Sequence, residues 1–163
     1  MHQVEKAHAA GILMVASAGN KEQNVDECKH WPSHFSTFPE LADQYISVAA
    51  SEYVNGSTTP ILADYSNFGQ SIDLAAPGNN VRAALVHSTN GNVPLSGTSM
   101  AAAVISRRAA MLMETTSGIK LSAAMVKNKI LLETTTMPEF CVAGGRFYDP
   151  SHDPTLLGDT DYE

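Results

Sequence analysis

The 163-residue sequence is poor in cysteine, in basic residues and in long apolar runs. Its two cysteines, Cys28 and Cys141, are too few for a disulfide framework and lack metal-ligand spacing. Ten Lys and Arg against 17 Asp and Glu give a formal net charge of −7, which argues against a nucleic acid or an anionic membrane as partner. The sequence contains no apolar run of about 18 residues, the length that predicts a membrane span. Residues 1–6 also lack the basic and hydrophobic regions of a secretory signal.

The overall composition, with 44% hydrophobic and 17% charged residues, is typical of one globular domain. We assign residues 1–148 to that domain and residues 149–163 to an acidic, turn-rich tail. The apolar residues 12–16 lie between Gly11 and Gly19, a pattern typical of a strand buried on both faces of a parallel sheet. Residues 4–10 before it have the pattern of a helix end. Together these features predict an α/β fold in which helices flank a mostly parallel sheet.

Apolar periodicity and turn residues predict the other elements of the domain. Strands are expected at residues 45–50, 63–66, 71–75, 81–86 and 144–148, and helices at residues 98–114 and 122–133. The inner side of the second of these helices is predicted to carry Leu121, Met125, Ile130 and Leu132. Residues 21–40 are polar and proline-containing, so we interpret them as a surface loop.

Ser99 is the candidate residue by which the other motifs of the sequence are interpreted. It lies where a loop turns into an apolar helix, among unpaired backbone N–H groups and the positive end of the helix dipole. That environment favours developing negative charge and suits a nucleophile in acyl transfer, but it equally suits an ordinary N-cap. Asn20 follows the apolar strand at the edge where ligands of α/β sheets gather, although it also suits a left-handed turn after Gly19. The residues alone leave both alternatives open.

Four segments, taken in order, resemble the C-terminal half of the catalytic domain of the subtilisin-like serine proteases. They are residues 5–20, residues 45–50, residues 65–69 with 72–78, and residues 96–101. Each is short, but four in the family's order over about 100 residues are a specific signal. The resemblance implies that residues 1–148 form part of a three-layer α/β fold with a mostly parallel sheet. The family is commonly secreted or lodged in endomembranes, which the sequence itself does not indicate.

The resemblance also implies roles for particular residues. Ser99 corresponds to the attacking serine, and the Asn20 side chain and the Ser99 N–H correspond to the oxyanion hole. The substrate-binding residues implied are Ala16, Ser17, Ala18, Gly19, Gly97 and Thr98. The expected activity is hydrolysis of peptide bonds in a polypeptide substrate, with no cofactor and no metal.

The family's catalytic Asp and His precede the oxyanion asparagine in the chain, and no segment here matches them. Because a serine without a positioned base is a poor nucleophile, we expect the chain alone to hydrolyse little. The sheet should then have an unpaired edge, with the missing N-terminal half or another chain as its partner.

The helix after Ser99 departs from the family pattern. Ala103 and Val104 replace a Pro-His pair, and Arg107 replaces a closely packed glycine. Arg107 and Arg108 need acidic partners, an exposed helix face or a different packing, because a buried unpaired guanidinium is very costly. These departures keep open an alternative function, a catalytically dead module that binds peptides or serves a structural role.

Two further interpretations are weaker. An α/β-hydrolase order could combine Ser99 with Glu133 or Asp149 and with His152, but residues 97–101 have glycine at only one end of the G-x-S-x-G motif. Residues 26–34 contain four side chains of metal-ligating types, Asp26, Cys28, His30 and His34, and could be interpreted as a metal site. Their spacing matches no standard ligand pattern, so we interpret them as residues of a polar surface loop.

Overall fold

The computed structural model describes residues 1–54, 57–84, 92–114, 120–137 and 140–152. Within these ranges the α-helices are α1 (His2–Ala9), α2 (Thr98–Glu114) and α3 (Ala123–Leu132). The strands are β1 (Met14–Ser17), β2 (Tyr45–Tyr53), β3 (Pro60–Leu62), β4 (Leu74–Pro77), β5 (Val81–Ala84), β6 (Asn92–Leu95), β7 (Thr135–Thr136) and β8 (Arg146–Phe147). Residues 85–86 of one predicted strand and residues 153–163 of the predicted tail lie outside the described residues.

One mixed sheet organises the described residues. Its strand order is β1-β2-β4-β8-β7, and β3 pairs with the far end of β2. The β1–β2, β2–β4 and β4–β8 pairs are parallel, whereas β3 and β7 are antiparallel to their neighbours. Strands β5 and β6 form a separate antiparallel hairpin that leads into α2. The predicted α/β fold with a mostly parallel sheet flanked by helices is confirmed.

Strand β2, which pairs with β1, β3 and β4, divides the core into two layers by the alternation of its side chains. Ile46, Val48 and Ala50 are fully buried in the cluster that contains Ile105 of α2. Ala49 belongs to the cluster on the opposite face, with Phe147. Both faces of β2 are therefore covered, and its residues from Tyr45 to Ala50 are apolar except for Ser47.

The strand that carries the candidate site lies at the edge of the sheet. In the described part of the chain no strand pairs with the outer edge of β1, and α2 packs against one of its faces. Met14 and Val15 are half-buried and Ile12 is 53% exposed. The prediction of a strand buried on both faces is therefore wrong in the described residues, since of the four residues of β1 only Ala16 is buried.

Other elements also differ from their predicted form. Residues 63–66 form a turn rather than a strand, and the paired segment lies just before them in β3. On α3 the predicted inner residues Met125 and Leu132 are 49% and 84% exposed, whereas Val126 and Ile130 are fully buried.

The two arginines that posed a packing problem in α2 are accommodated. Arg107 is exposed, and Arg108 forms a bidentate ion pair with Glu133, with N···O distances of 2.8 and 2.7 Å. Glu133, one of the two acids considered for a hydrolase triad, is therefore engaged by Arg108, which lies nine positions after Ser99 in the sequence. None of the described helices is long and apolar enough to cross a membrane.

Candidate active site

Ser99 is the second residue of α2 and is exposed. The N–H groups of Met100 and Ala101 both donate to the Gly97 carbonyl, so Gly97 occupies the capping position of the helix. Within the described residues, neither the hydroxyl nor the backbone N–H of Ser99 has a hydrogen-bond partner. Ser99 is therefore not the N-cap, and its hydroxyl and N–H are both available to a ligand.

Asn20 caps the helix from another part of the chain. Its Oδ1 accepts hydrogen bonds from the Thr98 N–H at 2.9 Å and from the Thr98 hydroxyl at 2.8 Å. A backbone N–H can only donate, so the Asn20 atom facing it must be the oxygen. The orientation of the amide is thereby fixed, and its NH₂ group is directed away from Thr98.

Gly97 keeps open the space between two donors. A Cβ on Gly97 would lie 3.3 Å from Asn20 Nδ2 and 3.8 Å from the Ser99 backbone nitrogen. The φ angle of Gly97 is +155°, a value that side chains rarely adopt. This space therefore lies between two nitrogen donors near the positive end of α2, an environment that favours negative charge.

Asn67 holds the loop that carries Asn20. Its side chain is fully buried, donates to the Ala18 carbonyl at 2.8 Å and accepts from the N–H groups of Lys21 and Gln23 at 3.0 and 3.1 Å. One amide thus ties together both sides of the loop around Asn20. Sequence reasoning did not assign Asn67 a role; the only signal was its place in the resembling segment 65–69.

We expect Asn67→Leu to destabilise the fold by about 1–3 kcal/mol, because loop N–H groups lose a buried acceptor. The same change should slow modification of Ser99 by a serine-directed fluorophosphonate at temperatures where the variant is folded. Urea unfolding and labelling kinetics measure the two effects. Asn67→Asp retains both accepted bonds and serves as the matched variant. Unchanged labelling in folded Asn67→Leu would show that Asn67 does not position Asn20.

A second set of contacts fixes the loop before Ser99. The Gly97 N–H donates to the Gly78 carbonyl at 2.8 Å, and the Tyr65 hydroxyl donates to the same oxygen at 2.7 Å. Burial and the nearby Glu52 carboxylate raise the pKa of Tyr65, so its phenol remains a donor. A Cβ on Gly78 would lie 2.6 Å from that of Ala50, which shows how closely the two backbones approach.

The strip predicted to bind substrate runs from the end of β1 to Asn20. Ala16 is 7% exposed, Ser17 is half-buried and Ala18 is fully buried. The Ala18 N–H donates to the Val48 carbonyl, and the Ala18 carbonyl accepts from the Asn67 side chain. Ala18 therefore supports the strip from its buried side. The Gly19 N–H donates to the Thr98 hydroxyl at 3.1 Å, which joins the strip directly to the start of α2.

The two alternative sites differ in what the structure describes. The hydrolase order includes His152, whose side chain lies outside the described residues. In the described ranges no group of three or more His, Cys, Asp and Glu side chains is placed to hold a metal ion. Asp26, one of the four ligands considered for a metal site in residues 26–34, instead accepts hydrogen bonds from the Gln70 and Ser71 N–H groups and from the Ser71 hydroxyl. Burial opposes ionisation of Asp26, but these hydrogen bonds lower its pKa overall.

Comparison with known proteins extends over nearly the whole chain. Residues 1–151 match the model of the subtilase family, peptidase S8. The chain is 35% identical over 98 residues to alkaline protease 1 of Aspergillus flavus, a match that covers 60% of this chain and 21% of that protein.

Two solved structures have the same fold. The A-subunit of the AB5 toxin from E. coli aligns with a TM-score of 0.73 and 26% identity, over 90% of this chain and 51% of that one. The prenylagaramide maturation protease PagA aligns with a TM-score of 0.70 and 26% identity, over 91% and 51%. The chain therefore spans about half the length of the solved relatives. The family model and the shared fold together show that this chain belongs to the subtilase family of serine proteases.

Proposed function

We propose that the chain carries the nucleophile and the oxyanion hole of a serine endopeptidase. Ser99 is the nucleophile, and Asn20 Nδ2 and the Ser99 N–H stabilise the developing oxyanion. The observation that carries the proposal is the position beside Gly97 that lies 3.3 Å from Asn20 Nδ2 and 3.8 Å from the Ser99 nitrogen. Both donors are fixed before any substrate arrives, which is the condition for electrostatic stabilisation of a tetrahedral intermediate.

In the proposed reaction, Ser99 Oγ forms a bond to the carbonyl carbon of a peptide while its proton passes to a base. The carbonyl oxygen gains the negative charge and moves between the two donors. Ala16, Ser17, Gly19 and Thr98 border the position of the substrate, with Ala18 behind them. The base corresponds to the family's histidine, which no segment of this sequence matches. A complete site therefore requires a His and an Asp from outside these segments.

Labelling with a fluorophosphonate tests the proposal directly. In the protein isolated from its source we expect stoichiometric labelling that maps to Ser99 and is lost in Ser99→Ala. Ser106 is the matched control, since it lies on the same helix, is exposed and donates to the Ala102 carbonyl. Ser106→Ala should label as the parent does. Absence of labelling in the source protein contradicts the proposed activity.

A second candidate function is a catalytically inactive module that binds peptides through the same surface. It is favoured by the Ser99 hydroxyl, which has no side-chain base beside it in the described part of the chain. The two functions differ in the labelling experiment. An inactive module binds peptides without reacting with the probe, whereas a peptidase does both.

A further inference from the structure

A series of side-chain hydrogen bonds connects the last part of β2 to the turn before Ser99. Asn79 Nδ2 donates to Glu52 Oε2 at 2.6 Å, and Asn79 Oδ1 accepts from the Ser96 hydroxyl at 2.6 Å. The Ser96 oxygen in turn accepts from the Asn80 N–H at 3.0 Å. This Glu52–Asn79–Ser96 network therefore ends three positions before the candidate nucleophile.

Both ends of the network fix the direction of its hydrogen bonds. A carboxylate can only accept and a backbone N–H can only donate, so Glu52 faces the NH₂ group of Asn79 and Asn80 faces a lone pair of Ser96. The Ser96 proton is then directed to Asn79 Oδ1. A hydrogen bond to a charged group is stronger than one between neutral groups, and it polarises the next bond in a network. Glu52 is therefore the member that orders the other two side chains.

Glu52 is itself held by backbone pairing at both edges of β2. It lies opposite Ile61 of β3, and the preceding residue, Ser51, pairs with Pro77 of β4. The Glu52 side chain is half-buried, whereas Asn79 and Ser96 are exposed. The network thus connects a residue fixed in the sheet to a turn at the surface.

The turn that carries Ser99 is reached through a hairpin outside the main sheet. In the described part of the chain, β5 and β6 pair only with each other. Their outermost pair joins Val81 to Leu95, so Asn80 and Ser96 are the next residues outward. The hydrogen bond between Asn80 and Ser96 therefore closes the base of the hairpin, directly before Gly97.

We propose that Glu52 is a positioning residue for Ser99. This inference rests on the proposed function. Glu52 orders Asn79 and, through it, Ser96, which fixes the base of the hairpin and with it the Gly97 backbone beside the two oxyanion donors. A displacement of about 1 Å at a reacting group is enough to slow a reaction strongly. Glu52 acts through these contacts alone and has no part in the chemical step.

A double-mutant cycle on the labelling of Ser99 tests this role. In the protein produced in its source, Glu52→Ala should lower the second-order rate constant for fluorophosphonate labelling about fivefold, the effect of losing one hydrogen bond. Ser96→Ala should lower it by at least as much. The double variant should label no more slowly than Ser96→Ala alone, because Glu52 acts through Ser96. Effects that multiply in the double variant would overturn the proposal.

Two further variants separate positioning from other effects of changing an acidic residue. Glu52→Gln keeps an oxygen that accepts from Asn79 Nδ2, so it should recover most of the labelling rate lost in Glu52→Ala. Glu27→Ala is the matched control, since Glu27 is exposed and also accepts from an asparagine side chain, Asn24 Nδ2, at 3.1 Å. It should label as the parent does.

Hydrogen exchange provides a measurement that does not depend on reactivity. The Asn80 and Gly97 N–H groups donate within the base of the hairpin, so both should exchange faster in Glu52→Ala and at the parent rate in Glu27→Ala. Unchanged exchange at both groups in Glu52→Ala would overturn the role of Glu52, even if labelling were slower.

The outcomes separate this role from the proposed function. If Asn20→Ala slows labelling of Ser99 but Glu52→Ala does not, the role of Glu52 is overturned while the proposed site stands. If Ser99 in the source protein resists the fluorophosphonate altogether, both proposals are overturned.

Discussion

Asn20→Ala is expected to lower the rate constant for fluorophosphonate labelling of Ser99 by about 10²–10³. That is the cost of removing one oxyanion-hole donor in subtilisin, a member of the same family. The Asn20 amide is well placed to have such an effect because Thr98 fixes its oxygen through two hydrogen bonds of 2.8 and 2.9 Å. Its Nδ2 therefore needs no reorganisation when charge develops. The measurement is the second-order labelling rate constant, compared at equal extents of folding.

Asn20→Asp separates the donor from the structural role. A carboxylate at this position still accepts from the Thr98 N–H and hydroxyl, so the cap of α2 is retained. It replaces the NH₂ donor with an oxygen that repels the developing oxyanion. We expect labelling of Asn20→Asp to be at least as slow as that of Asn20→Ala, with a higher melting temperature than Asn20→Ala. Near-normal labelling in Asn20→Asp would contradict the donor role.

The site was predictable from the sequence to the extent that it depends on adjacent residues. Ser99 at the start of a helix could be located because the serine, its flanking small residues and the apolar helix are contiguous, and the predicted bounds of α2 agree with the structure. Whether Ser99 is the N-cap could not be decided from adjacent residues. The structure excludes it as the cap because Asn20, which is 78 positions from Thr98, accepts from the first turn of the helix instead.

Features built from distant polar groups were not predictable. Asn67 holds the loop around Gly19 and Asn20 through hydrogen bonds that no sequence periodicity predicts. On α3, periodicity identified Ile130 as an inner residue, but it also predicted an exposed leucine as inner. A lysine occupies the buried side of that helix instead, because its charge is satisfied by three residues from two other parts of the chain.

That lysine, Lys127, is 7% exposed and supports the largest stability prediction. Its Nζ donates to Asp73 Oδ1 at 2.6 Å, to the Tyr45 carbonyl at 2.6 Å and to the Ala42 carbonyl at 2.8 Å. The other oxygen of Asp73 accepts from the N–H and hydroxyl of Ser47. This cluster of hydrogen bonds joins α3 to the starts of β2 and β4, two strands of the sheet that carries the candidate site.

We expect Lys127→Met to reduce the free energy of unfolding by about 2–4 kcal/mol, because it leaves the half-buried Asp73 carboxylate without its cation and two backbone carbonyls without their donor. Lys129→Met, an exposed change on the same helix, should stay within about 0.5 kcal/mol of the parent. The double variant Lys127→Met with Asp73→Asn should be less destabilised than the sum of its single changes, since it removes both charges together. Urea unfolding of the parent, of Lys127→Met, Lys129→Met and Asp73→Asn, and of the double variant measures these differences. A cost for Lys127→Met as small as that for Lys129→Met would mean that the buried charge pair does not stabilise the junction of α3 with the sheet.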